Sequence, residues 1–125
     1  MLTLMDSKDL AIRLAEAASE KKASDILLLD VREKSRFTDY FVICTGNSTP
    51  QVQAICQNIE DSMKELGQQP LRIEGYREGR WVLVDLGDVV VHIFRPESRD
   101  YYSLERLWGD APRAIEPNFA EFATV

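Results

Sequence analysis

The stretch EGRWVLVDLGDVVVHIF, residues 78–94, alternates on both sides of a Gly-Asp pair. Period-two alternation around a two-residue turn signal specifies a β-hairpin, and Gly in first place suits a type II′ turn. With Gly87-Asp88 as the turn, Leu86 faces Val89. The pairs continue as Asp85 with Val90, Val84 with Val91, Leu83 with His92, Val82 with Ile93 and Trp81 with Phe94. Directly opposed residues share a face. One face is then Val82, Val84, Leu86, Val89, Val91 and Ile93, without a polar side-chain atom. That face packs on helices, and a slip of one residue would turn the whole set outward.

The preceding segment adds a third strand. A turn at Glu78-Gly79, a weaker signal than Asn-Gly, pairs Tyr76 with Trp81, Glu74 with Leu83 and Arg72 with Asp85. Ile73 and Gly75 then join the core side. The opposite side mixes Tyr76, Trp81, Leu83 and Phe94 with Arg72, Glu74, Asp85 and His92. A core avoids such charges, and a plain solvent face seldom carries a tryptophan. Tyr, Trp and a few charges are the composition of an interface hot spot. The alternative is that a third helix or the C-terminal tail covers this side.

The rest of the chain supplies the helices. Residues 7–22 predict a helix capped by Ser7, with Leu10, Leu14, Ala17 and Ala18 at helical spacing and Lys21 and Lys22 at its C-terminal end. DILLLDV, residues 25–31, and DYFVICTG, residues 39–46, are short apolar runs that fit buried strands. A second helix follows, with Ser48 or Thr49 as cap, Pro50 near its first position and Gly67 as its stop. Val52, Ile55, Cys56, Ile59, Met63 and Leu66 form its apolar stripe. Pro96 breaks the last strand, and a short helix is expected over residues 98–108. The order predicts one α/β domain with a mixed sheet of about five strands and helices packed on it, residues 1–112, followed by a loose tail, residues 113–125.

Composition excludes some functions. The 125 residues carry 15 basic and 21 acidic side chains, a net charge of −6. A protein that grips nucleic acid through phosphates usually has a basic surface, so little direct nucleic-acid contact is expected. An acidic protein suits a basic partner instead. The N-terminus resembles neither a signal peptide nor a membrane span. Cys44 and Cys56 lie inside apolar patterns and fit a cytoplasmic protein with buried thiols. One histidine rules out a multi-histidine zinc site.

Candidate chemistry is thin. TGNSTPQ, between a strand and a helix, could hold a phosphate, but it lacks the Walker lysine and the dinucleotide glycines; a turn plus a helix cap is the stronger reading. Asp85 and Asp88 do not converge in this register, which argues against a metal pair. His92 has no nucleophile on its face and reads as a contact residue. Tyr101 and Tyr102 stand about 100° apart on a helix and can serve different faces.

Three blocks, DILLLDVREKSRFTDYFVICTGNSTPQVQAI, EGYREGRWVLVDLGDVVVHIF and RDYYSLERLWGDA, together resemble the ribosomal silencing factors, also called the Iojap family. The likeness covers nearly the whole domain. It implies a nucleotidyltransferase-like fold without enzymatic activity, catalytic residues, metal or cofactor; a divergent metal-dependent nucleotidyltransferase is the alternative. It implies binding to the large ribosomal subunit through ribosomal protein L-fourteen, with steric block of subunit joining and less translation when nutrients are short. It also implies a homodimer when free. The family's contact positions fall on Trp81, Leu83, Asp85, His92, Tyr101 and Tyr102; Tyr76 and Phe94 complete the expected partner-binding set through the shared sheet face.

Overall fold

The computed structural model describes residues 6–33 and 35–102, the last three by their backbone. Eight elements follow in order: α1 (Ser7–Glu20), β1 (Ser24–Asp30), β2 (Tyr40–Thr45), α2 (Thr49–Glu65), β3 (Arg72–Glu74), β4 (Trp81–Asp85), β5 (Val89–Phe94) and α3 (Pro96–Tyr102). They build a single α/β domain with one five-stranded sheet of order β1-β2-β5-β4-β3. β2 and β5 run parallel at its centre, and the other neighbours are antiparallel, so the sheet is mixed.

Both hairpin registers hold. Asp85 pairs with Val90, Leu83 with His92 and Trp81 with Phe94. Arg72 pairs with Asp85 and Glu74 with Leu83. Leu86 N–H donates to the Val89 carbonyl at 3.0 Å and closes the turn, with Gly87 at φ 87°. The predicted aliphatic face enters the main core under α1 and α2, with Leu86 and Ile73 half-buried at its margin.

Tyr76 does not pair with Trp81. The ladder stops at Glu74, because Gly75 turns the chain at φ 82°. A Cβ on Gly75 would stand 2.2 Å from the Trp81 carbonyl oxygen, so only glycine lets the two backbones approach so closely. The loop then folds onto the start of α2. Gln53 Nε2 donates to the Tyr76 carbonyl at 3.0 Å, and Thr49 Oγ1 donates to that of Glu78 at 3.4 Å.

Helix ends depart from expectation by a residue or two. Asp6, not Ser7, caps α1 by accepting from Asp9 N–H at 2.8 Å. Asp caps as well as Ser, and Ser7 Oγ instead donates to Asp39 Oδ2 at 2.7 Å, tying α1 to the start of β2. α1 stops at Glu20, two residues early. Lys22 takes φ 65°, and Ala23 N–H reaches back to the Ala18 carbonyl, a Schellman closure made without glycine. α2 has the expected Ser48 cap, and Gly67 closes it the same way at φ 72°. α3 begins at Pro96 rather than residue 98, since proline suits a first helical turn as well as it breaks a strand. The rest of the predicted helix, residues 103–108, and the expected tail, residues 113–125, lie outside the described residues.

The side of the sheet opposite α1 and α2 carries a second core. Leu29, Val31, Phe41, Ile43 and Phe94 are buried together, with Leu27, Trp81 and Val90 half-buried against them. This corrects the expectation of a wholly unlike-core surface there. The parallel pairing of β2 with β5 sets Phe41 and Ile43 beside Val90 and His92, and β1 adds Leu29. The apolar half of the mixed face therefore packs within the sheet.

Candidate functional site

β4 positions the candidate surface. Trp81, Leu83 and Asp85 alternate with buried Val82 and Val84, and each of the three is half-buried. They form a row from the α3 end of the sheet to the Gly87-Asp88 turn. At the turn end, Asp85 Oδ1 accepts from Gly87 N–H at 2.9 Å and Oδ2 from Arg72 Nε at 3.3 Å. Arg72 also donates to Glu74 at 2.7 Å. Asp85 thus spans turn and neighbouring strand, as expected of its pairing with Arg72. Tyr76 is 39% exposed, in the loop beyond the Trp81 end.

Two of the expected contact residues are interior. Phe94 has no exposed surface, and His92 retains 5%. Both underlie the row. The Trp81 ring stacks on Phe94 at 5.2 Å and 27°. The Trp81 indole N–H donates to His92 Nδ1 at 3.1 Å. Phe41 meets the imidazole edge-on at 4.9 Å. Burial pushes the His92 pKa down to about 4, so the ring is neutral near pH 7. Buried, neutral and engaged at Nδ1, it is not placed as a general base. Tyr101 and Tyr102 fall in the last turn of α3; their side chains lie outside the description.

The other candidates resolve into structure. Burial pushes the Cys44 and Cys56 thiols up to about 12, which keeps them protonated and poorly nucleophilic. In the Gly46–Ser48 turn, Gly46 N–H donates to the Phe94 carbonyl at 2.8 Å and Asn47 N–H to Gln51 Oε1 at 2.7 Å. Ser48 Oγ caps α2 by accepting from Gln51 N–H at 3.2 Å. Those groups are engaged in the fold rather than aimed at a phosphate. A Cβ on Gly46 would sit 2.8 Å from Val52 Cγ2, so the glycine serves strand-to-helix packing. Among the described residues, no three His, Cys, Asp or Glu side chains gather as metal ligands. Nor is any described helix long and apolar enough to cross a membrane.

Sequence reasoning missed two exposed apolar residues and one tie. Phe37 is 90% exposed and Leu71 73% exposed. Leu71 lies over Gly87 and so borders the Gly87-Asp88 turn, while Phe37 stands two residues before Asp39, whose N–H bonds the Asp88 carbonyl at 2.8 Å. A lone Phe between polar neighbours in RFTD was the available signal for the first. Arg99 Nη1 donates to the Asp25 carbonyl at 2.7 Å and to Thr45 Oγ1 at 2.8 Å, fastening α3 to β1 and β2. That tie has no local pattern to reveal it.

A family model described as "Ribosomal silencing factor during starvation" matches residues 4–124. The Bacillus subtilis protein named Ribosomal silencing factor RsfS is 54% identical over 110 residues, 88% of this chain and 93% of that protein. A crystal structure of a Chromobacterium violaceum protein superposes with a TM-score of 0.82 at 36% identity, covering 90% of this chain and 95% of that one. A Bacillus halodurans crystal structure gives 0.74 at 44% identity, covering 81% and 94%. A family match over nearly the whole sequence, joined to a relative this similar, means that the chain belongs to the ribosomal silencing factors.

Proposed function

We propose that this protein binds the large ribosomal subunit in the cytoplasm, chiefly through ribosomal protein L-fourteen, and blocks joining of the small subunit. Translation falls in consequence under nutrient limitation. The observation that carries this reading is the half-exposed row Trp81, Leu83 and Asp85 on β4 of a family member. Trp81 is an aromatic anchor seated on a packed cluster, and such anchors hold a large share of interface energy. Asp85 offers charge to a basic partner, and the net charge of −6 speeds the encounter. Tyr76 extends the row, with Tyr101 and Tyr102 included by resemblance. The block is steric. It needs a footprint over the joining surface, and no catalytic residue, metal or cofactor.

The test is sedimentation of purified large subunits, with and without small subunits, beside the wild type and a Trp81→Ala variant. The wild type is expected to travel with large subunits and lower the joined fraction, and the folded variant to do neither. A wild type left at the top of the gradient overturns the reading. When free, the protein forms a homodimer that uses part of the same face, since an apolar patch without its partner attracts a copy of itself. A folded Trp81→Glu variant is therefore expected to be monomeric and to lose large-subunit binding. Normal binding by that variant rules out the shared face.

A further inference from the structure

His92 lies where the candidate surface meets the buried cluster. Its Nδ1 accepts the Trp81 indole proton at 3.1 Å. A neutral imidazole has one ring proton, which must then sit on Nε2. That nitrogen is buried and has no hydrogen-bond partner. A buried donor without an acceptor is unfavourable. A phenyl ring would fill nearly the same space, between Phe41 and the Trp81–Phe94 stack, without that penalty. It could not accept the indole proton.

Stacking on Phe94 fixes the plane of the Trp81 ring. It leaves open which way the indole is turned about its second side-chain torsion, a broad and roughly two-fold degree of freedom. The hydrogen bond distinguishes the two, because only one turns Nε1 toward His92. We infer that His92 is a positioning residue for docking: its Nδ1 holds the Trp81 indole in a single orientation before the ribosomal partner arrives. Anchors set in advance bind more tightly because less freedom is lost on association. The inference rests on the docking reading of Trp81 given above, and it changes His92 from a contact into the support of one.

The experiment follows the Trp81 indole proton by hydrogen exchange in the free protein diluted to its monomer, told apart from Trp108 by a Trp108→Phe variant, and large-subunit affinity in parallel. His92→Phe keeps the ring and removes the acceptor. His92→Asn places Oδ1 where Nδ1 stood. The wild-type proton is expected to exchange slowly. In His92→Phe it should exchange faster, with affinity lower by about three- to tenfold, the range of one lost hydrogen bond. His92→Asn should restore part of both. A fast-exchanging wild-type proton overturns the inference whether or not either variant folds. So does a His92→Phe variant with unchanged exchange, or with faster exchange and undiminished affinity. If the wild type itself does not bind large subunits, the docking reading fails, and with it the role in docking. The exchange comparison still decides whether His92 holds the indole.

Discussion

At the scale of the residue, His92 couples the candidate surface to stability. Burial lowers its pKa from 6.5 to about 4, so the folded state resists its protonation while the unfolded chain accepts the proton. Its contribution is complete above pH 6.5 and is lost as pH falls toward 4. Between pH 7 and pH 4, urea unfolding should therefore show the stability difference between wild type and His92→Phe moving toward the variant by about 3 kcal/mol. A difference that stays constant with pH would mean the imidazole is not desolvated. At pH 7 the variant loses a hydrogen bond of about 1 kcal/mol but sheds a buried orphan donor that costs about 1–3 kcal/mol. It should be no less stable than the wild type. Spacing alone put His92 opposite Leu83, and that pairing holds. Its burial was not legible, because the rings that cover it come partly from β2.

Elements follow from local chemistry where caps and turns are strong. The S-x-x-Q sequence at residues 48–51 starts α2, and Ser48→Ala should cost about 1 kcal/mol in a denaturant titration. Gly75 matters more. Its positive φ and the 2.2 Å approach of a would-be Cβ to the Trp81 carbonyl leave no room that a flexible side chain could yield. Gly75→Ala is expected to cost about 2 kcal/mol or more, and to raise hydrogen exchange at β3 and at the Trp81 end of β4. Exchange confined to the variant loop would show that β3 does not depend on this turn. The alternation of residues 81–94 revealed a three-stranded register correct at every ladder pair from Arg72 to Phe94. The Tyr76–Trp81 pair failed because a positive-φ glycine ends a ladder that alternation would continue.

For the whole molecule, the balance of charge is the main physical handle. A net charge of −6 should speed approach to a basic ribosomal protein through long-range attraction. Association with that isolated ribosomal protein is expected to slow as salt rises from ~50 to ~500 mM, while dissociation changes less, in stopped-flow measurements. Salt-independent association would place the attraction in apolar contact alone. The row on β4 depends equally on global arrangement, since β5 lies between β4 and the strands that supply Leu29, Phe41 and Ile43.

The hairpins, the core face and the helix stripes were legible along the chain, because each depends on neighbours within about a turn or a strand pair. The sequence also carried the family likeness, whose blocks run along the chain in order. Which part of the mixed face is surface depends on packing across the sheet. Parallel pairing of β2 with β5 brings together residues about 50 positions apart, an arrangement that alternation cannot encode. That pairing sets Phe41 against the His92 ring; Phe94 and His92 are buried, and Trp81, Leu83 and Asp85 stay half-buried. Burial is a property of what lies across the sheet, and local pattern states only which residues face the same way.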